Sequence, residues 1–477
     1  MPRETHIWFR RLSGEPAVSW SHLAFKGPNL PPGPRTNWLG FNVVDLPKVR
    51  PWLTYAQWKN VYGDLIYIRV LGNPILVINS AAVATELLEK RGAKYSSRPV
   101  RTMIVDLIGW DWLVSVIFHR HLPGNESSIS WHPLQIQETH AMMRRFAGKP
   151  QGAAACIVLK MTYGLRVGAG DEYIMLADKA LASLAQAGIF GTYLVDYLPF
   201  LKYAPSCFSF RRKALKWRKL TRAMLNTPFT SVKEELARGT ASKCLVSEEL
   251  ERLAGAPDPA DEQIIKNVSA ISSFFLVMSL YPDVQARGQK EIDMVIGLEH
   301  RLPVFTDRPQ LPFILLRWNP VTPLGVAHYI SEDDIYKGYR IPKVLLPNVW
   351  AILHDPDMYP DPLSFNPQRF APENRVNGLN QIPDPAFGFG RRLASLFYIP
   401  SNNSFIPLLA FDTLWIVVAS MLTVYNISKE VDEDGRVKEP VAEFTPYSLS
   451  HPMPFACTIE PRGDAARQLI LQTEIQT

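Results

Sequence analysis

Two short segments near the start of the chain alternate apolar and polar positions with the period of two that is typical of β-strands. They are Leu65–Val70 and Pro74–Asn79, and the Gly72-Asn73 pair between them is a hairpin signal. Ser80 then precedes Ala81–Arg91, where apolar residues recur at helical spacing. The pattern therefore predicts a β-hairpin followed by a helix that Ser80 caps.

Helical periodicity dominates the middle of the chain, from Ser127 to Leu253. Within it, Ala177–Ile189 is rich in alanine and leucine, which both favour helix. Further helices are predicted at Glu262–Tyr281 and Asp283–Ile296, and a short one at Tyr55–Tyr62 precedes the hairpin.

Beyond Asn319 the pattern changes to short strands, turns and prolines, which continue to Pro385. The apolar segment Val344–Leu353 in this part is expected in the core. After Tyr425 a helix, a turn and a hairpin are predicted, and no internal repeat is visible. A mainly helical body with a smaller strand-rich portion indicates an α+β fold that is mainly α.

One apolar stretch, Phe405–Val424, is long enough to be a transmembrane helix. It contains Pro407 and one charged residue, Asp412, whose carboxylate would be costly in lipid. A buried helix of a large domain is the competing interpretation. Hydropathy by itself leaves both open.

Composition excludes several classes of protein. The 477 residues include 51 Lys and Arg against 45 Asp and Glu, a net charge of +6 that is too weak and too diffuse to indicate a nucleic-acid partner. The 40 prolines are scattered through connecting segments, so they indicate fixed turns rather than disorder. The cysteines show no metal-ligand or C-x-x-C spacing and are expected to be free thiols: Cys156, Cys207, Cys244 and Cys457.

The segment Arg211–Arg222 concentrates basic side chains and interleaves them with Leu215, Trp217 and Leu220. Such a helix can lie on a membrane surface, and a solvated helix face is the alternative. Residues 1–29 contain no apolar core of the length that a signal peptide needs, so we expect an atypical N-terminal segment without an anchor.

A set of short segments is distinctive because its members follow one another in a fixed order. They are L-P-P-G-P-R (30–35), Y-G-D-L-I-Y-I-R-V-L-G (62–72), K-Y-S-S-R-P (94–99), S-L-Y-P-D-V-Q (279–285), R-W-N-P-V-T-P-L-G-V-A-H (317–328), W-A-I-L-H-D-P (350–356), Y-P-D-P-L-S-F-N-P-Q-R-F (359–370) and F-G-F-G-R-R (387–392). On this ordered set the chain resembles the fungal, microsomal-type cytochromes P450, over roughly residues 30–460.

The resemblance implies a single P450-like domain over residues 30–460 and a C-terminal tail over 461–477. It implies a heme cofactor and a monooxygenase that inserts one oxygen atom from O₂ into an apolar organic substrate of secondary or xenobiotic metabolism. It also implies electrons from NADPH–cytochrome P450 reductase and a location at the endoplasmic reticulum membrane. Because no anchor is visible in residues 1–29, a cytoplasmic location stays open.

The resemblance also assigns heme-binding residues. Phe387 is expected to pack beside the ligand loop, Gly390 to shape it, and Arg392 to pair with a heme propionate. His328 resembles the basic residue that reaches a propionate, and a loop histidine satisfied by its surroundings is the alternative. The axial cysteine thiolate, which favours O–O cleavage, is expected at position 394, where this chain has Ala394.

The resemblance places four residues in the lining of an apolar pocket above the heme. They are Leu324, Gly325 and Val326, together with Met103 from the stretch that follows K-Y-S-S-R-P. An apolar lining implies an apolar substrate and nothing finer.

An ion network behind the heme is expected to be incomplete. In the family, an arginine such as Arg369 joins the glutamate and arginine of an E-x-x-R helix. Arg317 is present, but Ile314 stands where the glutamate is expected. Arg317 and Arg369 would then face each other without a shared carboxylate, and an unpaired buried charge is costly.

Other heme-contacting motifs are missing as whole blocks. Ile264–Phe275 has no acid–threonine pair, Asp111–His121 has no W-x-x-x-R, and no C-x-G follows Arg392. The P450 fold is therefore expected to be incomplete at the C, I and K helices and at the heme loop. Asp412–Leu422 still resembles the helix after the cysteine, which favours a buried helix over a membrane span.

Loss of blocks between intact flanks does not have the pattern of point mutation. Skipped exons and retained introns, or a decaying gene copy, account for it better. Three hypotheses follow: a P450 monooxygenase by descent that is inactive as it stands, a non-catalytic remnant that binds no heme, and a small membrane protein built around Phe405–Val424.

Overall fold

The computed structural model describes residues 29–35, 46–111, 132–146, 172–238, 273–297, 301–310, 318–370, 374, 379, 384–389, 405–432, 434–453 and 455–473. Most of their ordered elements are helices. In chain order these are α1 (Pro51–Tyr62), α2 (Ala81–Ala84), α3 (Gly92–Tyr95), α4 (His132–Phe146), α5 (Glu172–Gly188), α6 (Ser209–Arg238), α7 (Pro282–Val295), α8 (Val349–Leu353), α9 (Phe405–Val424) and α10 (Asp464–Gln472). Residues 273–280 are also helical.

The strands are short and form small sheets. They are β1 (Leu65–Val70), β2 (Asn73–Ile78), β3 (His328–Tyr329), β4 (Ile335–Tyr336), β5 (Tyr339–Arg340), β6 (Val344–Pro347), β7 (Tyr425–Lys429) and β8 (Cys457–Pro461). A four-stranded sheet has the order β1-β2-β6-β3, and β4-β5 and β7-β8 are two-stranded. Strand β2 runs parallel to β6 and antiparallel to β1. The predicted α+β class, mainly α, is confirmed.

The first hairpin is confirmed, but its turn lies one residue earlier than predicted. Val70 pairs with Asn73, so Asn73 belongs to β2 and the turn is formed by Leu71 and Gly72. Both turn residues have positive φ, 46° and 81°. This conformation matches the strand twist that a two-residue hairpin needs.

Two helix starts differ from the prediction. Helix α1 begins at Pro51 rather than Tyr55, because a proline in the first turn has no N–H to satisfy and its φ suits a helix. Ser80 is extended and makes no side-chain cap. The helix after it is α-helical only over α2, and Thr85–Lys90 continues as a wider π-helix.

The proline-rich connector lies along the edge of the first sheet. The amide of Tyr67 donates to the Pro32 carbonyl at 2.8 Å, and the amide of Arg340 donates to the Asn29 carbonyl at 2.9 Å. A Cβ on Gly33 would lie 1.9 Å from the Tyr67 carbonyl oxygen. The connector therefore approaches β1 too closely for any residue but glycine at this position.

The largest apolar cluster surrounds α9. Residues 412–424 of this helix are almost entirely buried against α4, α7 and α10, with contacts from residues such as Met143, Ile292 and Leu469. Asp412 is buried and lies 3.1 Å from His132 Nε2, whose ring stacks on Phe305. Over these residues the buried-helix interpretation is confirmed. Within the described part of the chain, no helix combines the length and apolarity required to cross a membrane.

Glutamine side chains of α7 bind the free edge of β7. Gln285 donates to the Ile427 carbonyl and accepts from the Ile427 amide, both at 2.8 Å. Gln289 donates to the Tyr425 carbonyl at 3.0 Å. Because β8 occupies the other edge of β7, these amides complete its backbone hydrogen bonding.

Candidate functional site

The start of the predicted heme loop packs against the four-stranded sheet and the helix α8. Phe387 ends the short helix Asp384–Phe387, and Gly388 follows in the left-handed region with φ 104°. Phe389 is buried in a cluster that includes Leu353 of α8. Sequence reasoning missed this anchoring role of Phe389, although its place between two glycines marks it. Gly390, Arg392 and Ala394 lie outside the described residues.

His328 lies in β3, and its side chain is buried. Its Nδ1 is 2.8 Å from the carbonyl oxygen of Tyr95. A carbonyl can only accept, so Nδ1 carries the proton in this contact. This contact fits the alternative of a satisfied loop histidine. Contact with a propionate stays a prediction.

Two of the distinctive segments meet beside His328. The amide of Tyr329 donates to the Ser97 carbonyl at 2.7 Å. The Arg98 guanidinium donates to the Val326 and Ala327 carbonyls, each at 3.0 Å. The guanidinium of Arg98 therefore joins the segments 94–99 and 317–328, and the backbone bond from Tyr329 adds a contact one residue beyond the second segment. The sequence had assigned no role to Arg98.

The predicted pocket residues fall into separate apolar clusters. Leu324 is buried with residues of the first sheet such as Ile66 and Leu346. Met103 has no exposed surface and packs with Trp110 and Leu184, next to the half-buried Leu449. Val326 is half-buried. Trp110, Leu184 and Leu449 were not predicted, because the contacts that join these three residues in one cluster cross long stretches of sequence.

Gly325 has a clear backbone role. Its φ is +56°, and an added Cβ would lie 3.0 Å from Pro347 Cγ and 3.4 Å from Val349 Cγ2. The turn therefore requires glycine at this position, because the backbone has a positive φ and because Pro347, the last residue of β6, lies close to it.

Arg369 is buried, and backbone carbonyls surround its guanidinium. It donates to the oxygens of Pro360 at 2.8 Å, Asp361 at 3.1 Å, Asn366 at 3.2 Å and Ser364 at 3.4 Å. Burial lowers the pKa of Arg369, and the nearby Asp361 carboxylate and Tyr359 oppose this effect. Backbone carbonyls therefore solvate this charge, and its link to Arg317 through a shared carboxylate stays a matter of prediction. Arg317 and Ile314 lie outside the described residues.

Cys207 and Cys457 lie among the described residues, and neither belongs to the segment 384–389 that starts the predicted heme loop. Cys457 lies in β8 opposite Lys429, and burial, helped by Glu430, raises the pKa of its thiol to about 11. Cys207 is exposed. Cys156 and Cys244 lie outside the described residues. Within the described ranges, no group of three or more His, Cys, Asp or Glu side chains could hold a metal ion.

At position 394 the donor chemistry does not fit a heme-thiolate centre. The position that follows F-G-F-G-R-R by one residue carries the methyl group of Ala394. A methyl group has no lone pair for iron, whereas the ligand chemistry of such a centre requires a thiolate.

Several known proteins are similar to this chain over most of its length. The family model described as Cytochrome P450 matches residues 267–393. Cytochrome P450 monooxygenase 98 of Postia placenta is 38% identical over 496 aligned positions, which cover 93% of this chain and 93% of that protein. A cytochrome P450 monooxygenase of Armillaria gallica is 36% identical over 515 positions, with 98% and 97% covered. Cytochrome P450 monooxygenase 208 of Postia placenta is 36% identical over 490 positions, with 93% and 92% covered.

The lengths of these alignments are informative. Alignments of 496 and 515 positions are longer than the 477 residues of this chain. They must therefore contain positions at which the relatives have residues and this chain has none. The match to the family model ends at Leu393, the residue before Ala394.

Proposed function

This chain belongs to the cytochrome P450 family, and from that premise we propose that it has the scaffold of a heme-dependent monooxygenase for an apolar organic substrate but does not itself activate oxygen. Its relatives are named cytochrome P450 monooxygenases, which are oxidoreductases, and the family's cofactor is heme. Bound heme supplies the oxygen chemistry in this family.

Ala394 is the observation that carries the proposal of inactivity. Directly before it, the chain keeps the residues of the loop that should bring sulfur to iron. Of the described thiols, Cys207 is exposed on a loop and Cys457 is held protonated in β8 at neutral pH. Neither belongs to the segment 384–389 that starts the loop.

The other predicted site residues would have the following roles in a P450 chain that also contains the missing heme-contacting motifs. Phe387, Gly390, Arg392 and His328 are the proposed heme contacts. Leu324, Gly325, Val326 and Met103 are the proposed pocket lining. Arg317 and Arg369 are the proposed structural network, and for Arg369 the four carbonyl contacts support it.

Absorbance spectroscopy tests the proposal directly. The full chain is purified from a host supplied with a heme precursor, then reduced and exposed to carbon monoxide. We expect no Soret band of the thiolate type. An Ala394→Cys variant is the matched control, because it adds the thiol and changes nothing else. A thiolate-type band in the unmodified chain would refute the proposed inactivity.

The alternative, a non-catalytic product of altered splicing or gene decay, concerns the origin of the gaps. The alignments that exceed the chain length support missing residues rather than substitutions alone. Sequencing of the transcript decides the origin. A message that encodes F-G-F-G-R-R-x-C-x-G would show that a complete enzyme is produced from the same gene. A message matching these 477 residues would favour a remnant.

For a chain that carries the missing segments we also propose NADPH–cytochrome P450 reductase as the redox partner, and for this chain we propose contact with the endoplasmic reticulum membrane. The family uses a reduced partner, and a surface of this chain supports the membrane contact. Phe200, Tyr203 and Phe208 are 65%, 80% and 52% exposed immediately before the basic helix α6. Exposed aromatic residues beside basic ones suit an interface with anionic lipid.

Flotation with vesicles of phosphatidylcholine, with and without phosphatidylserine, tests this contact. We expect the Phe200→Ser/Tyr203→Ser double variant to bind anionic vesicles several-fold more weakly than the unmodified chain. Leu363→Ser/Val441→Ser is the matched control, since both residues are 65% exposed elsewhere on the surface. Equal binding of all three proteins would contradict the proposed surface.

A further inference from the structure

Arg101 is an almost buried cation with an unusually complete set of partners. Its Nε donates to Asp196 Oδ2 at 2.9 Å. Its terminal nitrogens donate to the carbonyls of Ala187 at 2.9 Å, Gly188 at 3.2 Å and Ile189 at 3.4 Å. These carbonyls lie at the C-terminal end of α5, where a positive charge also interacts favourably with the helix dipole.

Asp196 links the same group to a second segment. Its side chain is 2% exposed, and its Oδ1 accepts from the Met103 amide at 2.8 Å. The carboxylate therefore bonds the Arg101 guanidinium with one oxygen and the backbone of residue 103 with the other. Arg101 and Asp196 together tie the end of α5, the turn around residue 196 and the start of the π-helical segment Met103–Leu107.

The segment that Arg101 and Asp196 hold in place carries the apolar side chains that pack against α5. Residues Arg101–Asp111 form this segment, the 101–111 loop. Its Met103 and Trp110 have no exposed surface and pack with Leu184 and Ala187 of α5. A shift of the loop would move both side chains together, because interiors are close-packed.

The outer face of the 101–111 loop is held by a different kind of contact. Lys202 binds Asp106 at 2.9 Å, and Arg222 binds Asp111 at 2.6 Å. The side chains of these pairs are 34% to 49% exposed. Exposed pairs of this kind contribute little to stability and are screened by salt, whereas a buried pair is screened much less.

We propose that Arg101 and Asp196 are positioning residues that hold the 101–111 loop on α5 and so fix the apolar wall made by Met103 and Trp110. That this wall borders the substrate pocket rests on the proposed function. The role of Arg101 is twofold: it pairs with Asp196, and it caps the carbonyls of α5. The exposed pairs Lys202–Asp106 and Arg222–Asp111 add a weaker, salt-dependent restraint.

Hydrogen exchange of the full-length protein, followed by mass spectrometry, tests the clamp. The loop contains bonded reporter amides: Val105 donates to Arg101, Ile108 to Met103, and Trp110 to Ile104. In Asp196→Asn we expect these amides to exchange about tenfold faster or more, because breaking a buried pair is strongly destabilising locally. In Arg222→Gln, which removes an exposed pair, we expect less than about a threefold change.

Salt gives a second readout that a general loss of stability would not produce. In the unmodified chain, 1 M sodium chloride should change loop exchange little, since the buried pair remains. In Asp196→Asn the loop depends on the exposed pairs, so the same salt should accelerate its exchange further. Exchange of β7 should stay unchanged in both. Equal exchange of the loop in Asp196→Asn and in the unmodified chain would overturn the clamp.

A charge-swapped pair separates the two roles of Arg101. Arg101→Asp/Asp196→Arg restores opposite charges but places a carboxylate against the α5 carbonyls. We therefore expect no rescue of loop protection by the swap and partial rescue by Arg101→Lys relative to Arg101→Gln. Full rescue by the swap would refute the capping role.

Nile red, an apolar fluorescent probe, tests the link to the pocket separately. If Met103 and Trp110 border the pocket, Asp196→Asn should change the Nile red dissociation constant several-fold, and Arg222→Gln should not. Faster loop exchange with unchanged Nile red binding would keep the clamp and refute the assignment of this wall to the pocket.

Discussion

Replacement of Gln285 by alanine should lower the free energy of unfolding by about 2–6 kcal/mol. Gln285 is buried and bonds both the amide and the carbonyl of Ile427, each at 2.8 Å. Alanine leaves both backbone groups without a partner, and Ile427 is itself only 1% exposed. A buried polar group that loses its partner costs about 1–3 kcal/mol, and two such groups are affected.

Urea denaturation followed by far-ultraviolet circular dichroism measures this loss. Lys290→Ala is the matched control, because Lys290 is exposed on the same helix, α7. Its unfolding free energy should change by less than about 0.5 kcal/mol. If Gln285→Ala and Lys290→Ala are equally stable, the reasoning that Gln285 completes the edge of β7 is refuted.

A Gln285→Glu variant refines the test through pH. A protonated carboxyl can donate to the Ile427 carbonyl and accept from its amide, whereas a carboxylate can only accept. Burial should raise the pKa of this glutamate above its unfolded value of about 4.3. The stabilising contribution is then full below that unfolded value and is lost as pH rises through the folded pKa, so the variant should approach the unmodified chain more closely at pH 5 than at pH 8.

Three further predictions concern single sites. Burial, reinforced by Arg144, lowers the pKa of His140 to about 4. Between about pH 6.5 and pH 4 the unfolded chain therefore binds a proton at His140 that the folded chain does not bind. The free energy of unfolding falls as the pH drops through this window. Urea titrations at pH 7 and pH 5 should show a loss of about 2 kcal/mol that His140→Gln abolishes. An alkylating reagent at pH 7.5 should label Cys207 at least about tenfold faster than Cys457, because Cys207 is exposed and burial raises the pKa of the Cys457 thiol to about 11. Equal labelling of the two cysteines in peptide mass spectra would contradict the burial of Cys457. Gly325→Ala should lower the unfolding free energy by about 1–2 kcal/mol more than Gly338→Ala, because both residues have positive φ but an added Cβ meets Pro347 only at position 325.

Local pattern was sufficient for elements whose faces differ in polarity. The strand β1 and the helix α7 lie within one residue of their predicted bounds. Local sequence pattern did not predict features that depend on the conformation or pairing of the neighbouring backbone. Ser80 has the side chain of a good cap but an extended backbone without a cap bond, and the hairpin turn moved to Leu71 because the strand pairing required it.

The environment of α9 could not be decided from hydropathy, because the lipid bilayer and a protein core favour the same residue types. The contacts that decide it come from distant parts of the chain. His132, which binds Asp412, is 280 positions away in the sequence. The family resemblance rather than the hydrophobic pattern had favoured the buried helix.

The candidate site was predictable where it depended on motifs. Arg369 was identified from its P-x-R-F element, but its partners are carbonyl oxygens that every sequence possesses, so no pattern reveals them. Arg101 and Asp196 were missed for a related reason. A single charged residue has no periodicity, and only the fold brings the two together across 95 positions.

The carbonyl cage around Arg369 has a consequence for how such a protein can change over time. All four oxygens come from residues 360–366, so this stretch carries the solvation of its own cation within a few residues. A neighbouring helix can then be shortened or deleted without exposing a naked charge here. The position of this cation therefore depends on the local backbone alone and not on a carboxylate from another element.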